Sequence, residues 1–254
     1  MNGKIDARAL LRGWGAGLLG RLLPNACALC GGASKDALCA GCEAQFFGPD
    51  AAIARCTCCA NPLPGRLDHG AATSQLCGAC LANPPAFDRT LVAASYVLPI
   101  DQLVLQLKFG HRLALAPLCA RLLRDAVLDG ESAALPALLC PVPLGPRRLA
   151  ERGYNQALEI ARPLARGLGV ALAPRLVHRV HETAAQSSVT PAERQANIAG
   201  AFAVPEAVLV AGRHIGVVDD VMTSGRTLNE LAATLKRHGA ARVSNYVFAR
   251  TPPH

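Results

Sequence analysis

The chain has 254 residues, of which 51% are hydrophobic and 17% charged, a composition that fits a globular protein and argues against intrinsic disorder. Its formal net charge is +8, yet residues 27–88 hold three basic and five acidic side chains. Any phosphate-binding surface is therefore expected outside that segment. No uninterrupted apolar run reaches the length of a membrane span, so an integral membrane segment is not expected.

The first 24 residues carry leucines at roughly helical spacing with arginines between them, and Pro24 follows. This pattern predicts an amphipathic helix over residues 1–24 that packs on the body of the protein. Attachment to a membrane surface is the alternative, although the glycines of the stretch disfavour an independent helix. The stretch lacks the features of a secretory signal, so a cytoplasmic location is predicted.

Eleven cysteines, an odd number, favour metal ligation over a disulfide framework in a reducing compartment. Two Cys-x-x-Cys turns can direct four thiolates at one structural Zn²⁺. Residues 25–85 are accordingly predicted to form a double zinc-ribbon module with one or two zinc ions. The predicted ligands are Cys27, Cys30, Cys39, Cys42, Cys56, Cys59, Cys77 and Cys80.

The order in which these cysteines pair is not fixed by their spacing. Sequential ribbons, the first four cysteines and then the last four, are favoured, with an interleaved arrangement as the rival. A single zinc site is also compatible with the spacing. Cys58 is either a spare thiol or a replacement for Cys56 or Cys59 in the second site.

A proline pair at residues 84–85 indicates a linker, and a second domain is predicted over residues 86–254. Cys119 and Cys140 lie within its apolar patterns and are expected to be buried as small hydrophobic side chains. The tail over residues 250–254 is expected to fray. The remaining elements are predicted as strands over 90–97, 138–144 and 243–249 and helices over 100–109, 114–128 and 145 to about 168.

Three arginines, Arg147, Arg148 and Arg152, follow the proline-stopped strand at 138–144. Guanidinium groups clustered at such a turn suit a pyrophosphate, because each can donate two parallel hydrogen bonds to phosphate oxygens. An exposed basic helix start is the alternative interpretation.

The stretch from Ile215 to Thr227 predicts a strand, a loop and the start of a helix, with two carboxylates at the end of the strand. Unpaired backbone N–H groups at a helix N-terminus form an anion site. The string resembles the 5-phosphoribosyl-1-pyrophosphate (PRPP) signature of type I phosphoribosyltransferases. That resemblance implies a PRPP site made by Asp219, Asp220, Val221, Met222, Thr223, Ser224, Gly225, Arg226 and Thr227.

Further motifs occur in the order found in one family. They include Lys-Phe-Gly at 108–110, Pro-Val-Pro at 141–143, Arg-Gly-Tyr-Asn-Gln at 152–156 and a polar segment from Gln186 to Phe202. Together with the cysteine module they resemble the ComF/GntX family of phosphoribosyltransferase-like proteins. The resemblance implies an α/β fold, a Rossmann-like and mostly parallel sheet, behind the zinc ribbon. Candidates to contact pyrophosphate, to close a lid or to bind DNA are Lys108, Arg147, Arg148, Arg152, Gln186, Arg194 and Asn197.

Two classes of function remain open. The resemblance implies binding of PRPP with Mg²⁺ and a link to DNA uptake in natural competence, with phosphoribosyl transfer to an acceptor that the sequence does not identify. The alternative is a non-catalytic module for single-stranded DNA or nucleotide, acting with proteins of the competence machinery. A zinc-ribbon adaptor with an inert second domain ranks last, since it leaves the Asp219-Asp220 string without a role.

Overall fold

The structure is a computed structural model, and it describes residues 25–64, 75–130, 134–180 and 200–253. The helix predicted over residues 1–24 lies outside these residues. The lid candidates Gln186, Arg194 and Asn197 lie outside them as well. In the part of the chain that is described, no helix has the length and apolarity needed to cross a membrane.

The described residues form strands and helices that are numbered here in chain order. The strands are β1 Asn25–Ala26, β2 Ala33–Ser34, β3 Arg89–Ser95, β4 Leu138–Pro141, β5 Ala171–Leu172, β6 His178–Arg179, β7 Phe202–Ala203, β8 His214–Met222 and β9 Arg242–Arg250. The α-helices are α1 Ala40–Phe47, α2 Gly78–Ala82, α3 Ile100–Lys108, α4 Leu115–Asp129, α5 Pro146–Arg152, α6 Gln156–Leu168 and α7 Arg226–Arg237.

A five-stranded sheet in the order β3-β9-β8-β4-β5 forms the centre of the protein, and every pairing in it is parallel. This confirms the predicted α/β architecture. Because the strands are parallel, their carboxyl ends meet at one edge, where ligands bind in open α/β sheets. The strand β8 lies in the middle of the sheet and delivers the two carboxylates to that edge. Strands β6 and β7 form a separate antiparallel pair.

The sheet buries different side chains on its two faces, as the alternation along β9 shows. Tyr246 and Phe248 pack into a core with helices α3, α4 and α6. Val243 and Val247 join a second core with helix α7 on the opposite face. Neighbouring residues of a strand point to opposite faces, so one strand serves both cores. The sheet therefore lies sandwiched between two helical layers.

The predicted helix from 145 to about 168 is wrong in one respect, because the chain forms two helices there. Gly153 ends α5 with φ of +76°, a left-handed conformation that glycine adopts without a steric penalty. Asn155 then caps α6, its side-chain oxygen accepting a hydrogen bond from the backbone N–H of Leu158 at 3.4 Å. The break lets the Arg-Gly-Tyr-Asn-Gln motif turn toward the sheet edge.

The cysteine module repeats one arrangement twice. In each half, the first Cys-x-x-Cys occupies a turn, and the second begins at the residue that caps a short helix, Cys39 for α1 and Cys77 for α2. Cys119 and Cys140 are 0% and 1% exposed, which confirms that they are buried in the cores.

Candidate functional site

The loop between β8 and α7 has the shape of an anion cradle. Gly225 precedes α7 with φ of +76°, and a Cβ atom there would lie 2.5 Å from Cε of Met222. Only glycine fits, since any side chain would be strained and would meet Met222. The first N–H groups of α7 have no helical partners and lie at the positive end of the helix dipole. A phosphate can bind at such a helix start.

Two neighbouring carboxylates lie just before this loop. Asp219 is half-buried and Asp220 is 6% exposed. The Asp220 backbone N–H donates to Oδ1 of Asp219 at 3.0 Å, and Lys108 Nζ lies 3.0 Å from Oδ1 of Asp220. Burial, followed by the Asp220 carboxylate, raises the pKa of Asp219 to about 8, although Lys108 opposes the shift. Burial and the neighbouring carboxylate thus favour the protonated form of Asp219.

The carboxylates line a cavity of about 180 Å³ at the carboxyl ends of β4 and β8. Cations line the same cavity, namely Lys108, Arg148, Arg152 and Arg179. Val221 and Thr227 also reach it from the signature. The structure thus brings together residues from three separate motifs, placing positive charge opposite the acid pair.

Other predicted residues lie beside the cavity rather than on its lining. Thr223, Ser224 and Arg226 are exposed in the loop, and Met222 is buried beneath it. Arg147 points away from the cavity, since its Nε donates to Oε1 of Glu151 at 3.0 Å on the exposed face of α5.

The Arg-Gly-Tyr-Asn-Gln motif supplies lining residues that sequence reasoning did not assign. Asn155 holds the motif against β4 by donating from Nδ2 to the carbonyl oxygen of Val142 at 2.9 Å. Arg152 donates from its guanidinium to Oε1 of Gln156 at 3.1 Å, which fixes the orientation of the amide. Gln156 is 2% exposed, and its Nε2 has no hydrogen-bond partner among the described residues. A buried amide donor facing a cavity is suited to receive an acceptor atom of a ligand.

Arg179 was also missed by sequence reasoning. It comes from the two-residue strand β6, and its guanidinium lies 5.6 Å from the centre of the Phe202 ring on β7. The pairing of these strands brings Arg179 to the cavity. Such a short strand leaves no periodic pattern in the sequence.

The cysteines gather into two sets of four, in which all Sγ atoms lie within 4.8 Å of one another. The first set is Cys27, Cys30, Cys39 and Cys42, and the second is Cys56, Cys59, Cys77 and Cys80. This confirms the sequential pairing over the interleaved one, and two sites over one.

The separations of the sulfur atoms suit zinc. Cys30 Sγ and Cys39 Sγ are 3.8 Å apart, and Cys59 Sγ and Cys77 Sγ are 3.6 Å apart. Four ligands at a Zn–S distance of about 2.3 Å form a tetrahedron with edges of about 3.8 Å. Each set therefore fits one structural Zn²⁺ without rearrangement.

In each set, the pKa of one cysteine thiol is lowered. Burial opposes ionisation of Cys27, but the backbone N–H groups of Cys30 and Cys39 outweigh it and lower the Cys27 pKa to about 6. At Cys56, burial is likewise outweighed by backbone N–H groups, that of Cys59 foremost, and the pKa falls to about 7. Thiolates are the form that binds metal.

Cys58 is the spare thiol and not a replacement ligand. It stands outside the second set, is 8% exposed, and its Sγ lies 3.7 Å from the carbonyl oxygen of Phe87. Burial raises its pKa, so it stays a protonated small side chain in the core.

Comparison with known proteins agrees with both halves of this architecture. Residues 155–253 match the phosphoribosyl transferase domain model, and residues 18–81 match the double zinc ribbon domain model. Competence protein F of Haemophilus influenzae is 31% identical over 221 residues, which cover 85% of this chain and 92% of that protein. The chain belongs to the competence protein F (ComF) family.

Other relatives of this ComF-family chain share less of its length. DNA utilization protein YhgH of Salmonella typhi is 39% identical over 178 residues, covering 69% of this chain and 78% of that protein. Among solved structures, the glutamine PRPP amidotransferase from B. subtilis aligns with a TM-score of 0.35 at 16% identity. That alignment covers 52% of this chain and 25% of the amidotransferase.

Arg250 contradicts the prediction that the tail of this ComF-family chain frays. Arg250 is 6% exposed at the end of β9. The next residue, Thr251, is also held in place, because its backbone N–H donates to the carbonyl oxygen of Met222 at 3.0 Å. The guanidinium of Arg250 donates to the carbonyl oxygens of Cys59 and Met222, both at 3.0 Å, and to that of Thr223. It thus links the second cysteine set to the phosphate loop.

Proposed function

We propose that this ComF-family protein binds PRPP together with Mg²⁺ at the end of β8 and transfers its phosphoribosyl group to an acceptor. The observation that carries the proposal is the cavity in which Asp219 and Asp220 face four cationic side chains. PRPP presents ribose hydroxyls, a 5-phosphate and a pyrophosphate, so its site needs hydrogen-bond acceptors and cations side by side. The cavity offers both within about 180 Å³.

The acid pair binds the ribose hydroxyls, and the loop binds the 5-phosphate. Asp220 accepts hydrogen bonds from the ribose hydroxyls as a carboxylate, and Asp219 accepts them through its unprotonated oxygen. The loop over residues 223–227 surrounds the 5-phosphate with backbone N–H groups and the hydroxyls of Thr223 and Ser224. The helix dipole of α7 adds to this attraction for the anion.

The opposite wall of the cavity suits the pyrophosphate. Arg148 and Arg152 can each donate two hydrogen bonds to phosphate oxygens, and Lys108 adds a point charge. Gln156 contributes the amide donor that has no partner among the described residues. Mg²⁺ prefers oxygen ligands and keeps several waters. The carboxyl groups of Asp219 and Asp220 would help to hold it beside the pyrophosphate, where it would neutralise part of the negative charge.

Transfer at this site is a substitution at C1 of the ribose. The bond between C1 and the pyrophosphate oxygen breaks, and its electron pair leaves with the pyrophosphate. A lone pair of the acceptor forms the new bond to C1, and the proton of the acceptor passes to solvent or to a basic group. Guanidinium groups aimed at the leaving pyrophosphate lower the barrier because negative charge develops there.

Release of pyrophosphate tests the transfer step. The purified full chain is incubated with PRPP, Mg²⁺ and fractions of a bacterial metabolite extract, and pyrophosphate is followed with time. We expect pyrophosphate release that requires both the protein and one of the fractions. Tight PRPP binding with no release in any fraction would limit the site to binding.

Single-stranded DNA is a second candidate ligand, favoured by relatives that are named for DNA utilization and for competence. The exposed Arg147 and Arg148 on α5 offer phosphate contacts beside the cavity. Phosphate-led binding weakens steeply with salt, and each lost contact reduces the slope by about one. Anisotropy of a labelled oligonucleotide, titrated with added PRPP, distinguishes a shared site, where PRPP displaces DNA, from a separate one.

A further inference from the structure

Arg250 is a buried cation in an unusual setting. Its Nε donates to the carbonyl oxygen of Cys59, and its Nη1 shares two hydrogens among the carbonyl oxygens of Met222, Thr223 and Thr251. Among the described residues no carboxylate lies within ion-pair distance of it. A buried charge is costly unless an opposite charge or several hydrogen bonds compensate for it. The second cysteine set lies beside Arg250, because Nε of Arg250 donates to the carbonyl oxygen of Cys59 at 3.0 Å, and negative charge on Cys59, Cys77 and Cys80 would stabilise the guanidinium.

Metal in that set is suited to supply the missing countercharge. A Zn²⁺ ion held by four thiolates carries a net charge of about −2, which is spread over the sulfur atoms. Such a centre stabilises a guanidinium beside it. Arg250 is then held where it can fix the carbonyl oxygens of Met222, the last residue of β8, and Thr223, the first residue of the phosphate loop.

The direction of those carbonyl groups matters for the loop that follows. A peptide unit is planar, so fixing a carbonyl oxygen also fixes the next backbone N–H. With the oxygen of Thr223 held on Arg250, the N–H of Ser224 points to the other side. Preorganised donors bind an anion better than donors that must first be oriented.

The first cysteine set has different connections. Its helix α1 is tied to α4 by Glu43, whose two carboxylate oxygens accept from Arg121 at 2.6 and 2.9 Å. Its members Cys27 and Cys42 belong to the core on the face opposite α7. Within the described residues its hydrogen bonds do not lead to the phosphate loop.

We propose that the second Cys₄ site positions the phosphate loop through Arg250, whereas the first site only stabilises the fold. Arg250 is a positioning residue in this account, since it touches the loop and not the ligand. The inference rests on the proposed PRPP site and adds to it a dependence of phosphate affinity on metal in one of two similar zinc sites.

Arg55 provides a matched control in the same interface. It is also largely buried, and burial followed by the charge of Arg250 lowers its pKa to about 10. Its guanidinium donates to the carbonyl oxygen of Ala60 at 3.1 Å and to Oγ of Ser95 at 2.8 Å. It therefore joins the same ribbon to β3 without touching the phosphate loop.

The test compares Arg250→Lys with Arg55→Lys, and Cys77→Ser with Cys30→Ser, all in the full chain. Zinc content, affinity for PRPP with Mg²⁺ by calorimetry, and hydrogen exchange of residues 222–227 are measured. Arg250→Lys and Cys77→Ser are expected to weaken PRPP binding by about tenfold or more and to speed exchange in the loop. Arg55→Lys and Cys30→Ser are expected to change the affinity by less than about threefold.

Equal affinity and equal loop exchange in Arg250→Lys and the wild type would overturn the inference. Equal weakening by Cys30→Ser and Cys77→Ser would overturn it too, since the effect would then reflect stability alone. If Arg250→Lys does not fold, Arg250→Gln keeps a donor without the charge, and Cys77→Ser tests the same link. If the wild type does not bind PRPP, the proposed function fails, and loop exchange alone decides whether the coupling exists.

Discussion

Lys108 Nζ lies 3.0 Å from Oδ1 of Asp220, a contact that joins the end of helix α3 to the end of strand β8. The side chains are 21% and 9% exposed, so the ion pair lies largely away from solvent. It connects the Lys-Phe-Gly motif with the acid pair across more than a hundred residues of sequence. It also places a cation within the cavity that we propose for PRPP.

Replacing Lys108 with Met is expected to lower PRPP affinity by about tenfold, because an anionic ligand loses a cation and Asp220 is left buried without one. Calorimetry with Mg²⁺ present measures the change. The matched control is Lys236→Met, which removes an ion pair of 2.8 Å with Asp88 outside the cavity. A rise in affinity in Lys108→Met would mean that the ion pair competes with the ligand for Asp220.

The raised pKa of Asp219 predicts a pH dependence of stability. The folded pKa of about 8 exceeds the ordinary aspartate pKa of 3.8, so the native state holds the proton more tightly than the unfolded state. The stabilisation that protonated Asp219 gives the native state is complete below the unfolded pKa and is lost as pH rises through about 8. Asp219→Asn, which cannot ionise, is expected to melt a few degrees above the wild type at about pH 9, and this difference is expected to shrink as the pH falls toward about 4.

Melting curves across this pH range check the prediction for Asp219. Asp125→Asn is the control, since Asp125 pairs with Arg121 and Arg124 on the surface of α4. The melting difference of this control should not grow between neutral and alkaline pH. A constant difference for Asp219→Asn over the same range would show that Asp219 is ionised throughout.

Gln156 is predicted to contribute to binding and not to stability. Gln156→Leu removes the amide donor that has no partner among the described residues, and an apolar side chain of similar shape suits a buried position. We expect PRPP affinity to fall by about tenfold while the melting temperature of the ligand-free protein is maintained. Gln106→Leu is the control, because Gln106 also accepts from an arginine, Arg112, but lies outside the cavity. Loss of stability without loss of affinity would assign Gln156 to the fold alone.

Much of the fold could be predicted because its signals are local. The strand, loop and helix around Gly225 follow from a β-branched run, a glycine and a helical period. The eight zinc ligands follow from the Cys-x-x-Cys spacing, whereas their division into two sequential sets of four came from the structure. The parallel sheet was expected from the family resemblance and from strands that alternate with helices.

The errors concern contacts between distant parts of the chain. Arg250 donates to the carbonyl oxygens of Cys59 and Met222, which lie 191 and 28 residues away in the sequence. Every residue has a backbone carbonyl group, so the residue types at these positions do not indicate such a contact. The end of α5 at Gly153 was missed because arginine, glutamate and leucine around it favour a helix. The signals were a glycine followed by an asparagine two residues later, a C-cap and an N-cap in succession.

The central claim is that Asp219 and Asp220 hold the ribose of PRPP. Calorimetric titration of PRPP with Mg²⁺ into the wild type and into Asp219→Asn/Asp220→Asn tests it most directly, with zinc content and melting temperature recorded for both. We predict saturable binding to the wild type and none to the double variant, with zinc content unchanged. Equal affinity of the two proteins for PRPP would contradict the assignment of this site.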